Sequence, residues 1–317
     1  MLRKEDCVIG GERPGDSRMR GTLLADEPMS AHTSWRVGGP ADHFYIPADV
    51  DDLGRFLALR PAGELIVWVG LGSNLLVRDG GIRGCVVATA GILNDLEIVE
   101  PGIVTAGAGV ACAKLARYCA GHGLSGAEFF AGIPGTVGGA LRMNAGAFGS
   151  ETWEFVRAVE TIDRDGSRHT RARDQFRIGY RSVEIGTDEW FIGAQFSFRS
   201  DPDRHAAAKI RDLLAQRAAS QPIGAFSCGS VFKNPGGDFA GRLIEKSGLK
   251  GTRVGGARVS EKHANFIINE GNASASDIER LILLVRRRVQ EVSGIGLEPE
   301  VWIIGESPAP EAAAGGT

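Results

Sequence analysis

Three polar side chains carry groups that could act on a substrate: Arg181, Ser230 and Glu300. The planar guanidinium of Arg181 suits a carboxylate and is worth most where negative charge develops, although a structural salt bridge is an equal alternative. Ser230 is a weak acid in water and could protonate only a strongly basic atom held close to it, so the residue alone favours a turn serine. Glu300 could keep its proton among apolar residues and donate it. The residue types therefore leave catalytic and structural roles open.

Cys228 is the competing nucleophile, two residues before Ser230. Nothing in the sequence lowers the pKa of its thiol, so we expect it to be a small packing residue. The chain has five cysteines, an odd number without C-x-x-C spacing, which indicates neither a disulfide framework nor a zinc site. We therefore predict no metal site, a reducing compartment, and no acyl transfer, since no histidine-based triad surrounds the serine.

A glycine-rich stretch runs from Gly123 to Phe148 and interleaves glycine with large apolar residues. Glycine costs conformational entropy, so such a run indicates that the backbone turns tightly or approaches something closely. Backbone N–H groups without side-chain cover form a concavity for phosphate, and we predict a cofactor cradle here. Gly70-Leu-Gly72 nearly matches G-x-G-x-x-G, but the third glycine is missing and no helix follows, which excludes a Rossmann fingerprint. This second turn could hold a pyrophosphate or be a plain glycine turn.

Hydrophobic spacing predicts the elements that position these residues. Strands are predicted at residues 41–47, 65–69, 85–88 and 190–198, hairpins at 96–106 and 156–171, and a closing strand at 297–304. Helices are predicted at residues 49–59, 112–120 and 240–247. Another helix should end before Gln221, with Ile210, Leu213 and Leu214 on one face. A long helix should begin at a capping box formed by Ser274 and Asp277. The result is an α+β fold with zones at 22–88, 89–202 and 203–306, between an N-terminal arm (1–21) and a disordered tail (307–317).

The composition is that of an ordinary globular protein. The chain has 317 residues, of which 43% are hydrophobic and 24% charged, enough for two or three domains. A net charge of −3 gives no support for nucleic acid or an anionic membrane as partner. The N-terminus lacks the apolar region of a signal peptide, and no run of about 18 apolar residues could span a membrane. We expect a cytoplasmic protein, and the sequence predicts no oligomeric state.

Six motifs occur in the order and spacing of one family, and the chain resembles the UDP-N-acetylenolpyruvoylglucosamine reductase (MurB) family. The motifs lie at residues 34–42, 70–77, 132–139, 180–182, 229–235 and 297–301. The resemblance spans roughly residues 22–305, and the short passage from Tyr180 to Trp190 is similar to the type II branch. One departure is Trp302, which stands where members often carry a basic residue.

The resemblance implies an FAD-binding fold of the vanillyl-alcohol oxidase/PCMH type in two subdomains (22–88 and 89–202) and a C-terminal α+β substrate domain (203–306). It implies that NADPH reduces FAD, and that UDP-N-acetylenolpyruvoylglucosamine is the UDP-sugar substrate, reduced to UDP-N-acetylmuramate for peptidoglycan. Hydride from FAD would reach C3 of the enolpyruvyl group while Ser230 gives a proton to C2. Arg181 and Glu300 would stabilise the enol-type intermediate.

The same resemblance implies further binding residues. Those expected to hold FAD are Leu71, Gly72, Ser73, Asn74, Gly132, Ile133, Pro134, Gly135, Thr136, Gly138, Gly139, Asn144 and Arg217. Those expected to bind the substrate are Tyr180, Lys233, Asn234 and His263. Lys233 and Asn234 could equally hold their own turn.

Two other functions stay open from the sequence. The first is an FAD-dependent alcohol oxidase of the same fold, which would often tether its flavin to a histidine or cysteine. The second is a non-catalytic flavin-binding module, whose flavin would not pass electrons from NADPH to an enolpyruvyl sugar nucleotide. Retention of yellow colour by the denatured chain would indicate the oxidase.

Overall fold

The computed structural model describes residues 19–308, and within them it has the α+β organisation that we expected. The predictions for the arm before residue 19 and for the tail after residue 308 lie outside the described residues. Where the arm meets the fold, the backbone N–H of Arg20 donates to Asp52 Oδ1 at 2.7 Å. The chain is therefore fixed to the first helix before the first strand begins.

Six α-helices lie within the described residues: α1 (Val50–Leu59), α2 (Cys112–Gly121), α3 (Val137–Met143), α4 (Ala206–Ser220), α5 (Ala240–Lys246) and α6 (Ala275–Ser293). The strands of the described residues are β1 (Thr22–Pro28), β2 (Pro40–Ile46), β3 (Ile66–Val69), β4 (Leu75–Val77), β5 (Ile82–Ala88), β6 (Leu96–Glu100), β7 (Ile103–Gly107), β8 (Leu124–Ser125), β9 (Gly146–Ala147), β10 (Ser150–Glu151), β11 (Val156–Asp163), β12 (Arg168–Ala172), β13 (Arg177–Gly179), β14 (Ser182–Glu184), β15 (Glu189–Ser197), β16 (Arg199–Ser200), β17 (Arg253–Val254), β18 (Ala257–Val259), β19 (Ile267–Asn269) and β20 (Trp302–Ile304). Among these helices, none has the length and apolar character that crossing a membrane requires.

The first region is a four-stranded sheet in the order β1-β2-β5-β3. Strand β1 is antiparallel to β2, whereas β2 and β3 are both parallel to β5. Helix α1 begins at Asp49, whose side chain accepts from the Asp52 N–H, and it buries Leu53 and Phe56. The predicted helix and the three predicted strands of this region are confirmed.

The second region is a five-stranded antiparallel sheet in the order β12-β11-β15-β7-β6. Both predicted hairpins, the long strand after Trp190 and helix α2 are confirmed. Helix α4 packs on the apolar cluster of this region through Ala206 and Ile210. The predicted apolar face of α4 is only partly correct, because Leu214 is exposed. The domain boundaries stay predictions.

The C-terminal region packs α5 and α6 against the small sheet β17-β18-β19. The capping box of α6 is confirmed: the Asp277 N–H donates to Ser274 Oγ at 3.0 Å, and the Ser274 N–H donates to Asp277 Oδ2 at 3.1 Å. The predicted strand at 297–304 is too long, since only Trp302–Ile304 forms a strand. Pro299 cannot donate to a ladder, and the chain before Trp302 bonds instead to the loop at Val231 and Lys233.

The C-terminal region is fastened to the first one. Strand β20 pairs in parallel with β4, and the buried Trp35 indole donates to the Ile267 carbonyl at 2.8 Å. The Asp79 carboxylate accepts from the Ala275 and Ser276 N–H groups at 2.9 and 2.8 Å, where it caps α6. Arg78 forms an ion pair with Glu279 one turn further along that helix. These contacts join the first region to the C-terminal one across a well-bonded interface.

Candidate flavin and substrate site

The two glycine motifs lie against each other. A Cβ atom on Gly70 would collide with the Thr136 hydroxyl, and one on Gly135 would lie 3.2 Å from Ser73 Oγ. Gly72 has a φ of +59°, which favours glycine, and a Cβ atom there would collide with the His32 carbonyl. Glycine at position 70 therefore lets the two turns meet, and glycine at position 72 lets the first turn pass the His32 carbonyl.

The meeting turns offer free backbone donors. Within residues 19–308, no recorded hydrogen bond uses the N–H groups of Leu71, Gly72, Ser73 or Asn74 as donor. Beside them is a cavity of about 580 Å³, lined by Leu71, Pro134 and Arg217 among others. Consecutive free N–H groups beside a cavity of this size fit the phosphates of a dinucleotide. The residues present therefore fit the FAD that we expected.

In the second glycine motif, several polar groups are already used by bonds within the protein. Thr136 Oγ1 accepts from the Gly139 N–H at 3.4 Å and starts α3, and the Gly138 N–H donates to the Ala108 carbonyl at 2.9 Å. A Cβ atom on Gly138 would lie 2.9 Å from the Ala108 Cβ, so this glycine packs α3 closely against the chain after β7. Gly132 contacts Phe148, and the Ile133 N–H is used within its own turn. Contacts of these residues with FAD stay predictions.

Asn144 is held entirely by the protein. It ends α3 in the left-handed conformation, with a φ of +43°. Its side-chain amide donates to Glu151 Oε2 at 2.7 Å and to the Gly179 carbonyl at 3.1 Å, and its Oδ1 accepts from the Trp153 N–H. We therefore interpret Asn144 as a residue that fixes the end of α3 to the hairpin of β13 and β14. Its predicted FAD contact stays a prediction.

Arg181 projects from that hairpin. Tyr180 and Arg181 form the two-residue turn between β13 and β14, and Arg181 has a φ of +53°, an unfavourable value for a residue with a Cβ atom. Its guanidinium donates to the Gly146 carbonyl at 2.9 Å and to the Asn144 carbonyl at 3.3 Å. The hairpin and the cradle therefore fix its guanidinium together, while the Tyr180 side chain is exposed.

Arg181 and Glu300 meet although they lie far apart in the chain. Arg181 Nε is 3.0 Å from Glu300 Oε1, and the two side chains are only 17% and 16% exposed. Burial raises the pKa of Glu300, although the charges of Arg181 and Lys233 act in the opposite direction. The structure thus places a guanidinium beside a carboxyl group that holds its proton to a higher pH than usual. Stabilisation of an enol-type intermediate by this pair stays a prediction.

Ser230 lies beside this pair. The next residue, Val231, accepts from the Glu300 N–H at 2.8 Å, and Ser230 lines a second cavity of about 410 Å³. Asn234 and His263 line the same cavity. No recorded hydrogen bond within the described residues uses the Ser230 hydroxyl, so nothing there indicates a capping serine. A role of Ser230 as proton donor stays a prediction.

The other expected substrate residues have protein partners. Lys233 Nζ is 2.7 Å from Glu298 Oε1, and Asn234 Oδ1 accepts from the Ala240 N–H at 3.0 Å, which caps α5. His263 Nδ1 accepts from the Asn265 N–H at 3.3 Å, and burial lowers the pKa of its ring. The turn-holding alternative therefore has direct support for Asn234, and substrate contacts of all three stay predictions.

Cys228 is unsuited to be a nucleophile. Its Sγ donates toward the Gly72 and Leu75 carbonyls at 3.6 Å each, and the residue is buried. Burial raises the pKa of its thiol to about 12. The interpretation as a packing residue therefore agrees with its environment.

Sequence reasoning missed several residues at this site. His32, Thr33, Ser34 and Arg36 line the first cavity, and the Ser34 N–H donates to the Gly72 carbonyl at 3.1 Å. The motif at residues 34–42 was the available signal. The link made by Asn74 was also missed: its Nδ2 donates to the Glu300 carbonyl at 3.1 Å, which ties the first glycine turn to the segment that carries Glu300. No local pattern reveals that contact.

Comparison with known proteins defines the class first. Residues 41–171 match the family model described as FAD binding domain, and residues 221–304 match the one described as UDP-N-acetylenolpyruvoylglucosamine reductase, C-terminal domain. The chain is thus a flavoprotein with an FAD-binding fold and a separate C-terminal domain, as expected.

Relatives define the family. The UDP-N-acetylenolpyruvoylglucosamine reductase of Methylococcus capsulatus is 56% identical over 290 residues, which cover 92% of this chain and 95% of the relative. That of Alkalilimnicola ehrlichii is 55% identical over 287 residues, covering 90% of this chain and 96% of the relative. The crystal structure of the reductase (MurB) from Thermus caldophilus superposes with a TM-score of 0.77 at 34% identity, covering 90% of this chain and 99% of that one. The chain belongs to the UDP-N-acetylenolpyruvoylglucosamine reductase (MurB) family.

Proposed function

We propose that this chain reduces the enolpyruvyl ether of UDP-N-acetylenolpyruvoylglucosamine to UDP-N-acetylmuramate, with NADPH as reductant. FAD, when bound in the cradle, would supply the hydride chemistry that connects NADPH to C3 of the substrate. The observation that supports this most directly is the connection of the cradle with the catalytic pair: Asn74 Nδ2 donates to the Glu300 carbonyl, and Arg181 Nε lies 3.0 Å from Glu300 Oε1. A cofactor held by the first glycine turn would thereby lie close to both polar groups.

Three side chains would act on the substrate in different ways: Arg181, Glu300 and Ser230. Hydride addition at C3 moves negative charge onto the carboxylate side of the enolpyruvyl group, where the Arg181 guanidinium stabilises it. Burial raises the pKa of Glu300, and in its protonated form this group would donate a hydrogen bond to the same oxygens. Ser230 then gives its proton to C2, which is basic enough in that intermediate to accept it.

The second cavity suits the nucleotide part of the substrate. Besides Ser230 it is lined by Arg242, Lys250 and Lys262, while one acidic residue, Glu245, lies among them. Arg242 is paired with Asp238 and Lys250 with Glu245, and a diphosphate would compete with these two carboxylates for the cations. We therefore place the UDP group there, with the enolpyruvyl end directed toward Ser230. The chain would act in the cytoplasm, where this sugar nucleotide is made.

Ser230→Ala tests the assignment. We expect NADPH to bleach the bound flavin of the variant at the wild-type rate, whereas re-oxidation by the enolpyruvyl substrate slows by about 10²–10⁴, the usual share of a proton-transfer group. Stopped-flow absorbance of the flavin measures both half-reactions separately. The matched control is Ser247→Ala, in the same domain, whose hydroxyl only bonds the Leu243 carbonyl within α5. Equal losses in both half-reactions would contradict the proton-donor role.

A further inference from the structure

Arg142 is a half-buried cation without an acidic partner. It lies on α3, and within residues 19–308 it forms no ion pair, whereas Arg60, Arg78 and Arg181, which are comparably covered, each face a glutamate. Its guanidinium instead lies over the Trp302 ring, 4.7 Å from the ring centre. Burial lowers the pKa of Arg142, but an arginine remains charged at neutral pH.

The contacts of Arg142 join three segments of the site. Arg142 Nη1 donates to the Val183 carbonyl at 2.9 Å, and Val183 is two residues beyond Arg181 in the same hairpin. Trp302 is two residues beyond Glu300. Arg142 thus bridges the cradle helix to the hairpin that carries Arg181 and to the strand that follows Glu300.

Trp302 is itself fixed in place. Its backbone N–H donates to the Asn74 carbonyl at 3.0 Å, and its indole N–H donates to Met143 Sδ at 3.0 Å. The indole is therefore bonded to α3, the helix that also carries Arg142, while the Trp302 backbone is bonded to Asn74. A guanidinium that stacks on this ring and bonds the Val183 carbonyl links α3 and Trp302 to the hairpin that carries Arg181.

We propose that Arg142 is a positioning residue, which with Trp302 sets how Arg181 faces Glu300. This inference rests on the proposed function, because it assumes that the pair acts on the substrate. Arg142 acts through geometry, because the groups whose charges shift the pKa of Glu300 are Arg181 and Lys233. Small misplacement of a catalytic group costs about 10²-fold in rate, so the bridge has kinetic consequences without contacting the substrate.

The test combines Arg142→Met, Arg142→Lys, Trp302→Leu and Trp302→Phe. We expect Arg142→Met and Trp302→Leu each to slow flavin re-oxidation by the enolpyruvyl substrate by about 10–10², with reduction by NADPH unchanged. Arg142→Lys keeps the charge but loses the planar fork, so it should not restore the rate. Trp302→Phe keeps a ring and should restore much of it. The double variant Arg142→Met/Trp302→Leu should be no slower than the slower single variant, because both disrupt one contact.

The pH profile separates positioning from folding. When Arg142 is removed, Arg181 is held less closely to Glu300 and lowers the pKa of that carboxyl group less. Deprotonation of Glu300 should slow re-oxidation on the alkaline side of its pKa. Because that pKa is higher in the variant, the decline in the re-oxidation rate should move to higher pH. A purely structural residue would lower the urea midpoint without moving this decline. The hairpin control is Arg177→Met, an exposed arginine that should leave rate and profile unchanged.

Several results would overturn the inference: full rescue by Arg142→Lys, additive effects in the double variant, equal losses in both half-reactions, or an unmoved pH profile. If Arg142→Met does not fold, the conservative pair Arg142→Lys and Trp302→Phe gives the same comparison. Failure of the proposed function is distinguishable, because the substrate would then fail to re-oxidise the flavin of the wild-type protein.

Discussion

Replacement of Glu300 tests whether its buried carboxyl group donates a hydrogen bond to the substrate. Its side chain is only 16% exposed and lies 3.0 Å from Arg181 Nε, so it acts in a site largely closed to water. Loss of one hydrogen-bond donor to a developing oxyanion in such a site costs about 2.7–4 kcal/mol, or 10²–10³ in rate. We therefore expect Glu300→Ala to slow flavin re-oxidation by the enolpyruvyl substrate by that factor.

The pH dependence has a definite sign. Burial raises the pKa of Glu300 above its ordinary value, so the proton that it donates is present at low pH and is lost as pH rises through the raised pKa. The wild-type rate of re-oxidation should fall on the alkaline side of that pKa. Glu300→Gln retains an N–H donor that does not titrate, so its rate should show no such decline.

The assay is stopped-flow absorbance of flavin that has first been reduced by NADPH and is then mixed with substrate over a range of pH. The rate of the first half-reaction and the urea midpoint of each variant serve as controls for folding. A wild-type rate that rises with pH would show that the ionised form of Glu300 is the active one. An alkaline decline that persists in Glu300→Gln would assign the titration to another group, and either result would refute the reasoning.

Two further predictions concern stability. Asp79→Ala removes a carboxylate that bonds two N–H groups of α6 across the interface, and we expect a loss of about 2–4 kcal/mol in the free energy of unfolding, measured by urea denaturation with Ser276→Ala as the milder control. Asp52→Asn disturbs a buried carboxylate that accepts from the Tyr45 hydroxyl at 2.6 Å and from two backbone N–H groups, and it should cost about 2–4 kcal/mol at neutral pH. Although burial by itself raises the pKa of Asp52, these hydrogen bonds lower it. The wild-type advantage should therefore shrink as pH falls through the lowered pKa, and a difference independent of pH would contradict this account.

Features determined by local chemistry were predictable from the sequence. The capping box of Ser274 and Asp277 sets the start of α6, and the left-handed glycine at Gly294 ends it. The hairpin of β11 and β12 follows from the turn signal Asp163-Arg-Asp-Gly166 between the two strands. In each case the determining residues lie within a few positions of the structure that they form.

Features determined by distant contacts were not predictable. Strand β20 is shorter than its apolar run because residues before it bond to the loop at Val231, which no local pattern reports. Trp35 belongs to the apolar cluster of the C-terminal region although it precedes the first helix. Arg181 and Glu300 were named through the family resemblance, and only the three-dimensional structure shows their contact and the Arg142 bridge beside it.

The backbone conformation of Arg181 limits how this protein can be made more stable. A residue with a Cβ atom in the left-handed region costs about 1–2 kcal/mol, which glycine would not. A search for stabilising substitutions that considers the backbone alone would therefore select glycine at the tip of this hairpin and remove the guanidinium from the site. The same holds for neutral drift and for thermostability engineering. In both, the gain in folding free energy and the expected loss of activity would arise from one substitution at position 181.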